Sequence, residues 1–472
     1  MNQPQPRNHH ALAMQPTAGL VRQCLHAFQQ LLGQTQLKLA LQTAPLGWYD
    51  RIFSPVVTLW CMIFQRLNHD PTLQAAVTHL HLGGADRLAP RQKAPLSKRI
   101  ISLATTAFSN ARQRLPFALF PAVLAAQSQA VWNETSDGLW LGWRVWLLDG
   151  SQIAWRPYPE ILTRFEASSN QNGKAYWVLM RVVATFCWYT GVVVASTTDS
   201  CRVSEQELAC RQIRTDSGRR LYLGDRNFGV FQVVQCVLAA NAHCLFRLTQ
   251  SRARKLAGSA RRICRCGDYP IGWQPSQHDL GHANCRHQVI PGRLLVAQSK
   301  RPGFRTQWIY LFTTLTDAEA YATEPLLNLY ATRWQIELNL RYLKTQMNLN
   351  QIDCKSADMA EKEWMAGLLA YNLVRAVMLS AALQKGTQPS RLSFSATRRW
   401  LVQWLVASST GTKIVSSWES LLNRVAQIRQ PNRSQPRPSE PRAKRHKRET
   451  FPPLRGCRLV ARKNLKTFTS KS

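Results

Sequence analysis

An apolar run over residues 176–195 sets the strongest limit on what this chain can become. Its length could suit a bilayer span. Arg181 interrupts it, however, Val, Thr, Tyr and Trp dominate it, and Tyr189-Thr190-Gly191 lies within it. β-branched and aromatic residues favour extended backbone, and a turn triplet between two such stretches reads as a hairpin. The run is expected to form two paired strands in a sheet, not a membrane helix.

The flanking sequence has the same texture. Residues 143–148 read as a strand ending in Asp149-Gly150, and 152–155 as a second one. A helix over 204–213 follows, then a strand at 221–223 ending in Gly224-Asp225, a helix over 231–240 and a strand at 244–249. Residues 251–304 are rich in Arg, Gly and Pro and resemble an inserted β subdomain, after which a strand at 308–313 resumes the sheet. A meander of strands that then alternates with helices implies an α/β fold, a mixed sheet flanked by helices.

Both ends of the chain read as helical. Ser54-Pro55 and Asp70-Pro71 each pair a capping side chain with a proline suited to the first helical position. Ser97 opens a helix that Pro116 stops, and it carries Lys98, Arg99, Arg112 and Arg114, as either a DNA-contacting helix or a solvated face would. A long helix is expected over 316–349 with a break near Pro325, then helices over 359–384 and 391–428.

Charge narrows the partners. There are 61 Lys and Arg against 26 Asp and Glu, a net charge of +35. Such self-repulsion makes a polyanion the natural partner, and nucleic acid is the first candidate because each neutralised phosphate releases a counterion. The stretch 429–472 has 14 Lys and Arg against two acids and few apolar residues, so it reads as a disordered basic tail. The start of the chain is polar and has no secretory h-region, and the 12 Cys show no secreted-domain spacing. Both point to an intracellular protein with reduced thiols. No GxxxxGK[ST] loop is present, so no nucleotide cofactor is expected.

With acids scarce, those in apolar settings stand out. Asp149 and Asp225 each follow an apolar strand, so neighbouring strands would bring them to one sheet edge. Tyr330, Arg333, Glu337 and Lys344 fall within a strip about 60° wide on a helix, with Arg341 at its border. Leu329, Ile336, Leu340, Leu343 and Met347 form a separate apolar stripe. Three clustered carboxylates suit phosphoryl transfer, in which they hold two metal ions about 3.5–4 Å apart.

The pattern Tyr330-x2-Arg333-x3-Glu337-x6-Lys344 resembles the YREK signature of DDE transposases of the IS-four type, encoded by bacterial insertion sequences. Leu148-Asp149-Gly150-Ser151 and Gly224-Asp225-Arg226-Asn227-Phe228-Gly229 are similar to the blocks around that family's two aspartates. Tyr371-Asn372-Leu373-Val374-Arg375 and residues 108–115 resemble two further helical blocks. The resemblance spans roughly residues 50–385. It implies an RNase H-like catalytic domain in two parts, 136–250 and 305–385, interrupted by the β insertion 251–304. A helical DNA-binding region over 1–135 would precede it, and a helical region over 386–428 would follow.

By the same resemblance, Asp149, Asp225 and Glu337 are catalytic and bind two Mg²⁺ or Mn²⁺ ions. Tyr330, Arg333, Lys344 and Arg341 contact DNA. The partners implied are double-stranded transposon ends and target DNA, gripped by a homodimer in the bacterial cytoplasm at the nucleoid, with no membrane. Some relatives form a DNA hairpin using an aromatic residue of the insertion, for which Trp273 and Trp308 are candidates, against plain packing. A nuclease on the same fold and a catalytically inactive DNA-binding descendant remain as alternatives. Cys264, Cys266, His278, His282, Cys285 and His287 supply zinc donors without the spacing of a zinc finger, so a reduced-thiol insertion is expected there.

Overall fold

The computed structural model describes residues 52–429, apart from 89–93, 134, 136–137, 171–172, 217, 259–265, 283–284, 300–306, 351 and 411–417, together with residue 460. The basic tail, except for residues 429 and 460, and the first part of the helical N-terminal region lie outside the described residues.

A nine-stranded mixed sheet forms the centre. Its strands are β1 (Arg144–Trp155), β2 (Ala167–Asn170), β3 (Gly173–Cys187), β4 (Val193–Ser200), β5 (Arg220–Gly224), β6 (His243–Arg247), β7 (Gly267–Trp273), β8 (Ile290–Ser299) and β9 (Gln307–Thr313). The apolar run over 176–195 contributes to β3 and β4, which pair antiparallel around a turn where Gly191 adopts φ of 73°. β3 also pairs antiparallel with β1, while β1, β5 and β6 run parallel to one another. An antiparallel meander followed by two parallel strands, in the order β4-β3-β1-β5-β6, is the RNase H-like arrangement.

Alternation along the strands sends side chains to opposite faces. Val145, Leu147, Ile153 and Trp155 of β1 and Leu221 and Leu223 of β5 join one core. Trp146, Leu148 and Tyr222 join the other. The second core is closed by α6 (Glu205–Thr215), α7 (Phe231–Ala239) and α8 (Gln250–Ala257).

The first core is closed by helices from both ends of the chain. These are α1 (Pro55–Leu67), α2 (Leu73–His81), α3 (Thr106–Arg114), α4 (Leu119–Asn133), α9 (Thr323–Ala331), α10 (Trp334–Arg341), α11 (Ala357–Gln384), α12 (Phe394–Thr410) and α13 (Trp418–Gln427), with the short α5 (Pro159–Phe165) between β1 and β2. Helix α11 is apolar and long enough by composition to cross a bilayer, but 89% of its most apolar window is buried, which makes it the core helix of this layer.

Several local expectations need correction. Asp149-Gly150 does not end a strand: β1 runs through it without a break. The helix expected from Ser97 is a single turn, Leu96–Arg99, and α3 begins only at Thr106. Between them the β-branched pair Ile100-Ile101 is extended or exposed, and the Ser102 hydroxyl accepts the Ala104 N–H in a local turn that competes with helix. Ser54 and Pro55 begin α1 as expected, but Thr72, not Asp70, caps α2. The Asp70 carboxylate instead accepts the Thr72 N–H.

Among the described residues, the insertion builds no sheet of its own. β7 pairs with β8, β8 with β9, and β9 with β6, so the insertion extends the central sheet. Arg293 of β8 anchors it: the buried guanidinium pairs with Asp268 and donates to the carbonyls of Leu315, Asp317 and Tyr321.

Arg112, one of the candidate DNA contacts of the N-terminal region, is buried. It and Arg66 both pair with the buried Glu363 of α11. This ion cluster ties the N-terminal helices to the core helix.

Candidate active site at the sheet edge

The parallel register of β1 and β5 pairs Leu147 with Leu223. Extended by two residues, the same register sets Asp149 beside Asp225, just past the end of β5. Strand alternation gives both residues the face covered by α9 and α10. Burial, with the neighbouring Asp225 charge second, pushes the Asp149 carboxyl up from 3.8 to about 7. The Gly150 N–H, which donates to Asp149 Oδ1 at 2.9 Å, and the Arg333 guanidinium pull the other way. Two carboxylates held this close repel, and a cation is what would relieve them.

Each residue of the 224–229 block has a visible task. Gly224 lies against Phe228 and Phe246, where a Cβ would crowd both rings. Asp225 accepts the Asn227 N–H at 2.9 Å, which folds the chain back after the strand. Phe228 is fully buried below that turn, and Gly229 lies so close to the Arg247 carbonyl that a Cβ would collide with it. The aspartate is thereby fixed between a strand end and a buried plug.

The helical strip is not one helix. Pro325 sits in the first turn of α9, where missing N–H donors cost nothing, and the break comes later, at Thr332-Arg333. There the Thr332, Arg333 and Gln335 N–H groups each bond to the carbonyl three residues back. The Thr332 hydroxyl donates to Leu329 O at 2.6 Å and accepts the Trp188 indole N–H at 2.8 Å. A π-helical stretch, Tyr342–Gln346, continues α10. The apolar stripe survives these breaks: Leu329, Ile336, Leu340, Leu343 and Met347 are all buried in the first core.

The predicted site residues divide into two groups. Arg333 and Lys344 come near Asp149: its charge favours the protonated form of both, against the burial that disfavours it. Burial is the larger influence on Lys344 and lowers its pKa. Tyr330 is buried, its hydroxyl lies 3.4 Å from the Gly224 carbonyl, and burial raises its pKa to about 12. Arg341 is exposed.

Glu337 is turned outward, its side chain 64% exposed, and pairs with Arg333 at 3.0 Å. Among the described residues no three His, Cys, Asp or Glu side chains lie close enough to hold a metal ion. The structure thus brings Asp149 and Asp225 together and leaves Glu337 one ion pair away from them. The same finding leaves the described members of the Cys/His set without a metal-ligating cluster, and Cys264 lies outside the described residues. Trp273 packs edge-on against Phe231 and Phe312 in the second core, and Trp308 is half-buried.

Two groups of residues had no role assigned from the sequence. Glu205, Gln206 and Asn227 form hydrogen bonds behind the aspartates. Glu205 passes for an ordinary acid in the first turn of a helix, so it carries no separate signal. The 371–375 block supports the helix that carries Glu337. Tyr371 donates to Gly191 O at 2.8 Å, Asn372 exchanges two bonds with the Val193 backbone, and Arg375 donates to Asn339 of α10.

The chain is similar to known proteins. Residues 142–373 match the family profile described as the Transposase DDE domain. The chain is 25% identical over 342 residues to the transposase InsG of insertion sequence element IS4 from Escherichia coli strain K12, covering 71% of this chain and 73% of that protein. A cryo-EM structure of the piggyBac transposase synaptic complex with hairpin DNA shows a distant likeness, with a TM-score of 0.43 and 10% identity over 86% of this chain and 85% of the other.

Proposed function

Because the chain belongs to the DDE transposases of the IS4 type, we propose that it cuts and joins DNA through Asp149, Asp225 and Glu337 around two Mg²⁺ or Mn²⁺ ions. The observation that carries this reading is the convergence of Asp149 and Asp225 at one sheet edge, with Asp149 desolvated and repelled by its neighbour. That donor set fits hard divalent cations, which prefer carboxylate oxygen. When bound, such ions supply an activated attacking oxygen and stabilise the leaving one.

The chain's own residues do the remaining work. Asp149 and Asp225 would hold the cation between them, and its charge would offset their repulsion. Glu337 completes the set by exchanging its partner Arg333 for the site, which frees the guanidinium for a phosphate. Arg333, Lys344 and Arg341 hold the backbone of the cut strand, as basic groups beside acids do in phosphate binding. Tyr330 acts from below, holding the Gly224 carbonyl that precedes Asp225. The excess of basic residues draws in both transposon ends and target DNA. Joining two ends calls for a homodimer. A bacterial DNA substrate locates the work in the cytoplasm, at the nucleoid.

The domain assignment follows the same reading. Residues 1–135 serve end binding, 136–250 and 305–385 form the catalytic domain, 251–304 interrupt it, and 386–428 add helices over the core. The test is cleavage of a supercoiled plasmid carrying the element's own ends, with Mg²⁺ or Mn²⁺. Metal-dependent cuts at those ends, absent in Asp149→Ala, are expected. In Glu337→Ala, end binding should persist while joining is lost. Unchanged joining in Glu337→Ala would overturn the assignment of the third carboxylate.

A further inference from the structure

The two aspartates rest on a network outside the acid triad and the YREK strip. Gly150 follows Asp149 in β1, and strand alternation turns it to the opposite face, towards α6. A Cβ at Gly150 would overlap the carboxyl group of Glu205. Glycine here lets the Glu205 head lie against the β1 backbone. Glu205 is the first residue of α6, which Ser204 caps by accepting the Glu207 N–H at 3.1 Å.

From that position the Glu205 carboxylate accepts a hydrogen bond from Asn227 Nδ2. Gln206 holds the same residue from the other side: its Nε2 donates to the Asn227 backbone oxygen at 3.0 Å and to Oδ1 at 2.6 Å. Asn227 in turn donates its backbone N–H to Asp225 Oδ1 at 2.9 Å. Both ends of the Asn227 amide are occupied, and the turn that presents Asp225 is fixed by them.

We propose that Glu205 is a positioning residue for the metal-binding aspartates, holding the Asp225 turn through Asn227 and bracing β1 at Gly150. The proposal rests on the reading of Asp149 and Asp225 as metal ligands. Glu205 lies across the sheet from the Asp149 side chain, and its charge is the least of the influences on that carboxyl, so its main effect passes through its neighbours. Removing it leaves Asn227 Nδ2 without its acceptor and Gln206 alone to hold the residue, empties the space against Gly150, and the aspartates then hold their shared geometry less of the time. Glutamine keeps both the volume and an acceptor oxygen for Asn227. Alanine keeps neither.

The test is Mn²⁺ titration of the full chain followed by electron paramagnetic resonance, with thermal denaturation of the same samples. Glu205→Ala should weaken Mn²⁺ binding by about tenfold or more, as loss of groups that orient metal ligands does. Asn227→Ala should come close to it, and Glu205→Gln should restore most of the affinity. A purely structural role predicts a lower melting temperature with Mn²⁺ affinity unchanged, and that result overturns the proposal. Equal weakness of Glu205→Gln and Glu205→Ala also overturns it, because charge and not positioning would then be the cause. Asp149→Asn and Asp225→Asn report on the parent reading: if they bind Mn²⁺ like wild type, the metal site falls, and the proposal with it.

Discussion

Asp149→Asn should make the metal-free protein more stable while it destroys the site. The substitution keeps the shape of the carboxyl and removes a charge that burial and Asp225 both disfavour. A rise from 3.8 to about 7 corresponds to about 4 kcal/mol when the group is fully ionised, an upper bound that solvent access reduces to about 1–4 kcal/mol. The sign follows from linkage. The folded pKa lies above the unfolded one, so the contribution to stability is whole below about 3.8 and is lost as pH rises through about 7. The advantage of Asn over Asp should therefore be largest near pH 8 and fall to less than about 2 kcal/mol near pH 5.

Urea denaturation in chelator at the two pH values measures this directly. Adding Mg²⁺ should then reverse the order, since a ligand that binds only the folded wild type stabilises it alone. A variant no more stable than wild type at pH 8, or a gap that does not change with pH, would refute the account of the carboxylate pair.

Other substitutions test other parts of the structure. Glu363→Ala leaves Arg66 and Arg112 buried without their carboxylate and should cost about 3–5 kcal/mol in denaturant melts. Tyr330→Phe removes the hydroxyl near Gly224 O and should cost no more than about 1 kcal/mol of stability. Cleavage should slow in this variant while end-binding affinity stays the same. Lys344→Ala and Arg341→Ala should each lower the salt slope of end binding by about one. Mn²⁺ affinity should fall as pH drops below about 7, because protons then compete for Asp149; a flat profile from pH 8 to 6 counts against that carboxylate as a ligand.

Much of the fold could be read from local pattern. Apart from the unbroken β1, the strands lie close to where they were expected, and the stripe from Leu329 to Met347 is buried as its spacing requires. The sequence misled where a local rule met a distant partner. Asp149-Gly150 has the composition of a turn, but Glu205, more than 50 positions on, needs the missing Cβ. Arg112 has the look of a DNA contact, yet its partner Glu363 lies 251 positions away. The strip holding Glu337 has helical spacing throughout, but Thr332 bonds to Trp188 and divides it. That Asp149 and Asp225 would share one sheet edge could be read from the sequence. The outward turn of Glu337 could not, since it depends on which side chain claims Arg333.

The linear order of the parts also fixes when a ribosome delivers them. β1 and β5 emerge early, but 112 residues separate Asp225 from Glu337. At about 5–20 residues per second that interval is roughly 6–20 s of synthesis. Until residue 313 is made β6 has no β9 beside it, and the part of the sheet face destined for α9, α10 and α11 is uncovered. A growing chain thus carries an open strand edge and an uncovered apolar face, the two features most prone to faulty association. All three carboxylates are present only once residue 337 has been made.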